Sequence, residues 1–418
     1  MAYVSDNKNL SLTIVLLSSI LLCAVNAVAC PVFMRAYQMP GFYISTPVHR
    51  RQLAAFTWKQ KIGWQQQPIQ INALDPAGNI DFKSIRHGPE HGLRLMDRLT
   101  FSKEIINGDY WSQKEKAPCD FIHSSQVMNN QRYLYLFVCK KKQPIFQSPI
   151  RFDEKQRIVA SDAYQYLYDE NNQLSFREIT MQGKQSSSWE KIAFNAEQVI
   201  LADVKRFFTL KFDASDVSAK LLKKVSGSTS LIGLLQFYLK ILFFKIELSL
   251  TPEVQFYEDS LYMPMSLFSP VEAKEYINKG SGIFYSWQSP ASVQWDIEGA
   301  EIPRFVKPKE FSQISKKFCN DKYCRFSLSG KTKQNKFELN FSIQKNIADL
   351  KFYPQLITDF SKINDAFDET ITKSSQNRIG VFFETSQLPK GNHYWDFWIR
   401  FDDLKGQCPA KVKLTRRR

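Results

Sequence analysis

The chain has 418 residues, of which 44% are hydrophobic and 23% charged, the composition of a folded protein with room for two or three domains, not of a disordered one. A formal net charge of +15 selects anionic partners without choosing among nucleic acids, lipid headgroups and acidic glycans. No RNP-like, zinc-finger or helix-turn-helix signature supports nucleic acid, and no phosphate loop or dinucleotide fingerprint calls for a cofactor.

The first element in chain order is an apolar run from Leu10 to Val25, followed by small residues at Ala27-Val28-Ala29. This is the form of a cleaved secretory signal peptide, so residues 1–29 predict export to a periplasm or cell envelope. Cys30 stands directly after the cleavage position, where a bacterial lipoprotein carries its lipidated cysteine, and a lipid anchor through Cys30 is the variant reading. With Cys119, Cys139, Cys319, Cys324 and Cys408, Cys30 makes an even set of six outside the signal segment, which suits an oxidising compartment. Proximity pairs Cys119 with Cys139 and Cys319 with Cys324, which leaves Cys30 for Cys408; free thiols, or a lipidated Cys30 beside an unpaired Cys408, are the alternatives.

Residues 30–149 read as a β-rich region. Phe56–Trp64, Ile69–Ala73 and Tyr133–Cys139 have strand composition, and Asp75-Pro76-Ala77-Gly78-Asn79 is a turn signal. Residues 150–290 read as a central β-meander, with short runs such as Tyr164–Tyr168 and Phe207–Phe212 between polar turns. A short helix is expected over Asp216–Val225, where Val217, Leu221 and Val225 recur every fourth residue. A second, buried and apolar, is expected over residues 231–243, because Gly233, Gln236 and Lys240 fall on one narrow stripe. That helix spans about 20 Å at the usual rise, too short for the roughly 30 Å core of a bilayer. Ser269-Pro270-Val271-Glu272 has the form of a capping box opening another helix. Residues 291–418 read as an α+β region with helices near Phe311–Phe318 and Leu356–Phe367, ending in a basic, mobile tail. The expected class is therefore mainly β (β-rich α+β), with antiparallel sheets, several short helices and one buried central helix.

Two stretches carry candidate chemistry. Arg86-His87-Gly88-Pro89-Glu90-His91 is the densest polar cluster. His87-x-x-Glu90-His91 has the spacing of the inverted zinc-protease motif, though Gly88-Pro89 resists the helix that motif needs. Arg86-His87-Gly88 resembles the signature of histidine phosphatases, which implies a phosphorylated histidine. Arg86, His87, Glu90 and His91 are thus the catalytic candidates, with a polar surface loop as the preferred reading and no metal expected. Aromatic residues alternate with polar ones in Trp58-Lys59-Gln60-Lys61-Ile62-Gly63-Trp64 and in His393–Arg400. This makes Trp58, Lys59, Lys61, Trp64, Trp395, Trp398 and Arg400 the binding candidates, by stacking on sugars and pairing with acidic groups.

The expected function is a non-catalytic binding or structural role at an anionic envelope surface, whether glycan, lipid headgroup or protein partner. The alternatives are a periplasmic hydrolase using Arg86–His91 and a peripheral membrane protein using helix 231–243.

Overall fold

The computed structural model describes residues 31–39, 48–76, 80–83, 90–173, 175–183, 188–205, 209–212, 216–241, 244–247, 253–269, 271–278, 281–297, 323–332, 335–344, 352–357, 378–386, 388–401 and 413–416. They form mostly antiparallel β-sheet with few helical turns, the fold class expected from the sequence.

A three-stranded sheet has the order Pro31–Arg35, Arg98–Ser102, Gln70–Asn72. A five-stranded sheet has the order Lys413–Arg416, Phe121–Asn129, Arg132–Cys139, Leu53–Lys59, Gly63–Gln67. The strand period of two decides what each face buries. Leu53, Ala55, Leu134, Leu136 and Val138 share a core with Val32, Met34, Leu99 and Phe101 of the smaller sheet. Their neighbours Ala54, Phe56, Trp58, Tyr135, Phe137 and Cys139 bury the opposite face against Trp111. Both faces of the sheet's middle are therefore apolar.

The rest of the described chain makes two nine-stranded sheets. The first carries the meander Arg151–Asp153, Ile158–Ala160, Tyr164–Tyr168, Phe176–Gln182, Trp189–Asp203 and continues to Gly282–Gln288. The second runs Val217–Ser226, Ser230–Ile241, Glu253–Tyr257, Ser260–Ser269, Gly391–Arg400 and on to Lys336–Gln344. They share one core, in which Tyr166 meets Phe256 at 5.4 Å and Tyr164 stacks on Phe401 at 4.1 Å between ring centroids.

The helix expected over 231–243 is instead the strand Ser230–Ile241, hydrogen-bonded between Val217–Ser226 and Glu253–Tyr257. Leu231, Leu235 and Phe237 enter the shared core, while Ser230, Ile232 and Gln236 on the other face are buried as well. A strand covered on both faces loses the polar half of its alternation and reads as a continuous apolar run. The helix expected over Asp216–Val225 is the paired strand Val217–Ser226; a fourfold repeat is also an even one, so it fits one face of a strand. The capping-box signal corresponds to one short turn of helix, Ala273–Tyr276. The membrane reading of 231–243 loses its helix, and among the described residues no helix is long and apolar enough to cross a bilayer. In the tail, Lys413–Arg416 is not loose but pairs with Ser125–Met128. Leu356 lies in the strand Phe352–Ile357, whereas the remainder of the helix expected there, and Phe311–Phe318, fall outside the described residues.

Candidate functional site

The hairpin of Leu53–Lys59 and Gly63–Gln67 sets Trp58 directly opposite Trp64. Trp58 is buried. The Trp64 ring meets Trp111, Tyr135 and Phe137 edge-on at 4.9, 5.4 and 5.5 Å, and its Nε1 donates to the Lys116 carbonyl at 2.8 Å. Trp58 therefore fills an aromatic core, and Trp64, partly exposed, packs its ring against it. Lys59 and Lys61 sit on the turn beside them, and the bond to Lys116 holds residues 114–116 against the same end of the sheet. Lys61, Lys114 and Lys116 are exposed and Lys59 is half-buried. Among the described residues none of these four forms an ion pair, and Glu115 is the acidic residue between the last two.

The second aromatic group lies on a different sheet. Trp398 is buried and stacks on Tyr262 at 4.1 Å, and Arg400 is buried two residues on. Trp395 belongs to the same strand, in register with Met265 and Ile343.

Of the polar cluster, Arg86 and His87 lie outside the described residues. Glu90 accepts from Arg51 at 2.8 Å and from Lys142 at 3.1 Å, with His49 Nε2 3.7 Å away. The hydrogen bonds from Arg51 and then Lys142 hold its carboxyl below the ordinary glutamate range. A carboxylate kept ionised in this way suits an electrostatic clamp better than proton transfer near neutral pH. The His91 carbonyl accepts from the Arg50 backbone N–H at 2.9 Å, so this segment is fastened to residues 50–52 at two points. No three His, Cys, Asp or Glu side chains among the described residues gather to hold a metal.

Cys119 and Cys139 are joined in a disulfide, as their spacing predicts, with Cα atoms 5.8 Å apart. Cys324 lies in the strand Tyr323–Lys331, while Cys319, Cys30 and Cys408 fall outside the described residues.

Sequence reasoning overlooked a cleft of about 240 Å³ beside the strand Gln70–Asn72, which stands at the edge of its sheet. Its walls come from residues 50–54, from 66–72, from 143–148 and from the turn at 225–228. The run Gln65-Gln66-Gln67, with Gln70 three residues on, was the one trace of it in the sequence.

No family model matches the chain, and no curated protein matches it. Among solved structures it is similar to a galactose mutarotase related enzyme from Lactobacillus acidophilus, with TM-score 0.31 and 10% identity over 59% of this chain and 97% of that one. A protein in glycosyl hydrolase family 38 from Enterococcus faecalis gives TM-score 0.41 and 9% identity over 89% of this chain and 42% of that one. An alpha-mannosidase from Enterococcus faecalis gives 0.37 and 10% over 85% and 38%. The chain thus spans less than half the length of these last two, and no residue role is carried over from any of the three.

Proposed function

We propose that the chain is an exported, non-catalytic binding protein whose lysine-bearing end of the five-stranded sheet holds an anionic polymer or surface of the cell envelope. The observation that carries this reading is the group Lys59, Lys61, Lys114 and Lys116. These four cations are free of ion pairs at a hairpin held by the Trp64 aromatic core, where the acidic residues are Glu115 and Asp109, the latter paired with Arg132 and bonded to the Gln60 N–H. Unpaired cations on a rigid frame attract polyanions without first breaking an internal ion pair. The net charge of +15 extends the same attraction over the molecule. The Leu10–Ala29 segment and the Cys119–Cys139 bridge support export, because disulfides persist in oxidising compartments. Glu90 argues for structure over catalysis, since Arg51 and Lys142 already occupy it.

The test is a double charge reversal, Lys59→Glu with Lys61→Glu, assayed in parallel on an acidic polysaccharide and on vesicles of anionic lipid. Both substitutions lie at or beside a solvent-facing turn, so the fold is expected to survive. Affinity for one of the two should drop at least about tenfold, and the arm that responds identifies the source of the anion. Unchanged binding in both arms removes the lysine end as the site.

A further inference from the structure

The cleft beside Gln70–Asn72 has a chemistry unlike that of the lysine end. Gln70 Oε1 accepts from the backbone N–H and hydroxyl of Thr229, at 3.3 and 3.1 Å, and from those of Ser230, at 2.9 and 3.0 Å. Gly227 makes room for this arrangement, because a Cβ there would come within 2.3 Å of the Gln70 side chain. Four donors on the oxygen fix the amide, and Nε2 is turned away from them. That nitrogen is buried with no hydrogen-bond partner, on a residue only 4% exposed. Asn72 lies two residues on and so on the same face. It is 1% exposed, and its Oδ1 is likewise without a partner. Both residues line the cleft.

A buried polar group without a partner costs about 1–3 kcal/mol, which favours whatever supplies the missing bond. Here the two groups are a donor and an acceptor, on residues whose backbones are roughly 7 Å apart along the strand. No Asp or Glu lines the cleft, and its two arginines are engaged, Arg50 by Asp97 and Arg51 by Glu90. Gln66 and Gln143 add further amides, and Ile71 and Phe146 add an apolar wall. Side-chain amides donate and accept, as each hydroxyl of a sugar does, while the C–H face of a sugar ring suits an apolar wall. The volume corresponds to roughly eight water molecules in the liquid and lies below the usual range for drug-sized ligands, which fits a single ring.

We infer that this cleft binds one neutral sugar ring, with Gln70 Nε2 donating to one ring hydroxyl and Asn72 Oδ1 accepting from another. The site is separate from the lysine end and uses no free charge, so its affinity is independent of salt. That property also separates its failure from failure of the polyanion reading.

The experiment titrates the full chain with methyl glycosides of the common neutral hexoses and with a hexuronate, at low and physiological salt, by calorimetry and saturation-transfer NMR. Two variants accompany it. Gln70→Glu keeps an oxygen for the Thr229 and Ser230 donors but deletes the Nε2 donor. Phe146→Ala strips the apolar wall and leaves the turn untouched, so it remains informative where Gln70→Glu unfolds. The expected result is saturable binding of at least one neutral hexoside with the same affinity at both salt concentrations. Gln70→Glu should weaken it about tenfold and Phe146→Ala about fivefold, with the melting temperature of Phe146→Ala close to that of the parent. The inference is overturned by any of three results: no neutral hexoside binds saturably, binding ignores both variants, or the hexuronate alone binds and is released by salt.

Discussion

Arg50 and Asp97 form an ion pair sealed from solvent: Nη2 and Nε stand 2.9 and 3.2 Å from the same carboxylate oxygen, with the side chains 1% and 3% exposed. The same oxygen accepts the Arg94 backbone N–H at 2.9 Å. The pair ties the start of Leu53–Lys59 to the start of Arg98–Ser102, and so locks the two small sheets across their shared core. Removing one partner strands a buried charge. Arg50→Met or Asp97→Leu alone is expected to destabilise the fold by about 3–5 kcal/mol, and the two together by much less than the sum. Urea unfolding of the three variants measures this. Additive losses in the double variant would mean that the charges do not depend on one another.

Glu90 gives a dependence on acid. Its carboxyl is held below the ordinary value by Arg51 and then Lys142, so the folded state binds its proton less readily than the unfolded state. The stabilisation is complete above the unfolded glutamate value and is lost as pH falls through the folded one. Carboxyl NMR should show Glu90 titrating below a free glutamate, and Arg51→Gln should move that titration upward. The stability difference between the parent and Glu90→Gln should close in the same acid window. An ordinary titration in both proteins contradicts the clamp.

The disulfide should matter through the chain it closes. Cys119 and Cys139 are 20 residues apart, and a loop of that size corresponds to about 3 kcal/mol of stabilisation. Reduction is expected to lower the melting temperature, and Cys119→Ala with Cys139→Ala to reproduce the shift without reductant. An unchanged midpoint would mean that the aromatic core around Trp64 and Trp111 holds the segment unaided.

What could be read from the residues follows from which faces are covered. The meander after Ile150 was legible because Tyr164–Tyr168 and Phe176–Gln182 each keep a partly wet face and a polar turn. Ser230–Ile241 was not, because residues on both of its faces are buried, Ser230, Ile232 and Gln236 as well as Leu231, Leu235 and Phe237, so solvent marks neither face with a polar alternation. Phe56–Trp64 reads as one run of strand but is the turn of a hairpin that sets Trp58 opposite Trp64, and no pattern there announces that Trp111 closes over them from residues far along the chain. The cleft was hidden for the same reason, since its walls come from four separate stretches and its two orphaned groups are ordinary amides in the sequence.

The most direct test of the proposed function is the affinity of the whole chain for the anionic polymer or vesicle it binds, followed from about 0.01 to 0.5 M ionic strength. Across that range the screening length falls from roughly 30 Å to a few ångströms. Binding through Lys59, Lys61, Lys114 and Lys116 predicts a steep loss of affinity, with a shallower slope in the Lys59→Glu, Lys61→Glu variant. Affinity that stays flat from low to physiological salt contradicts it.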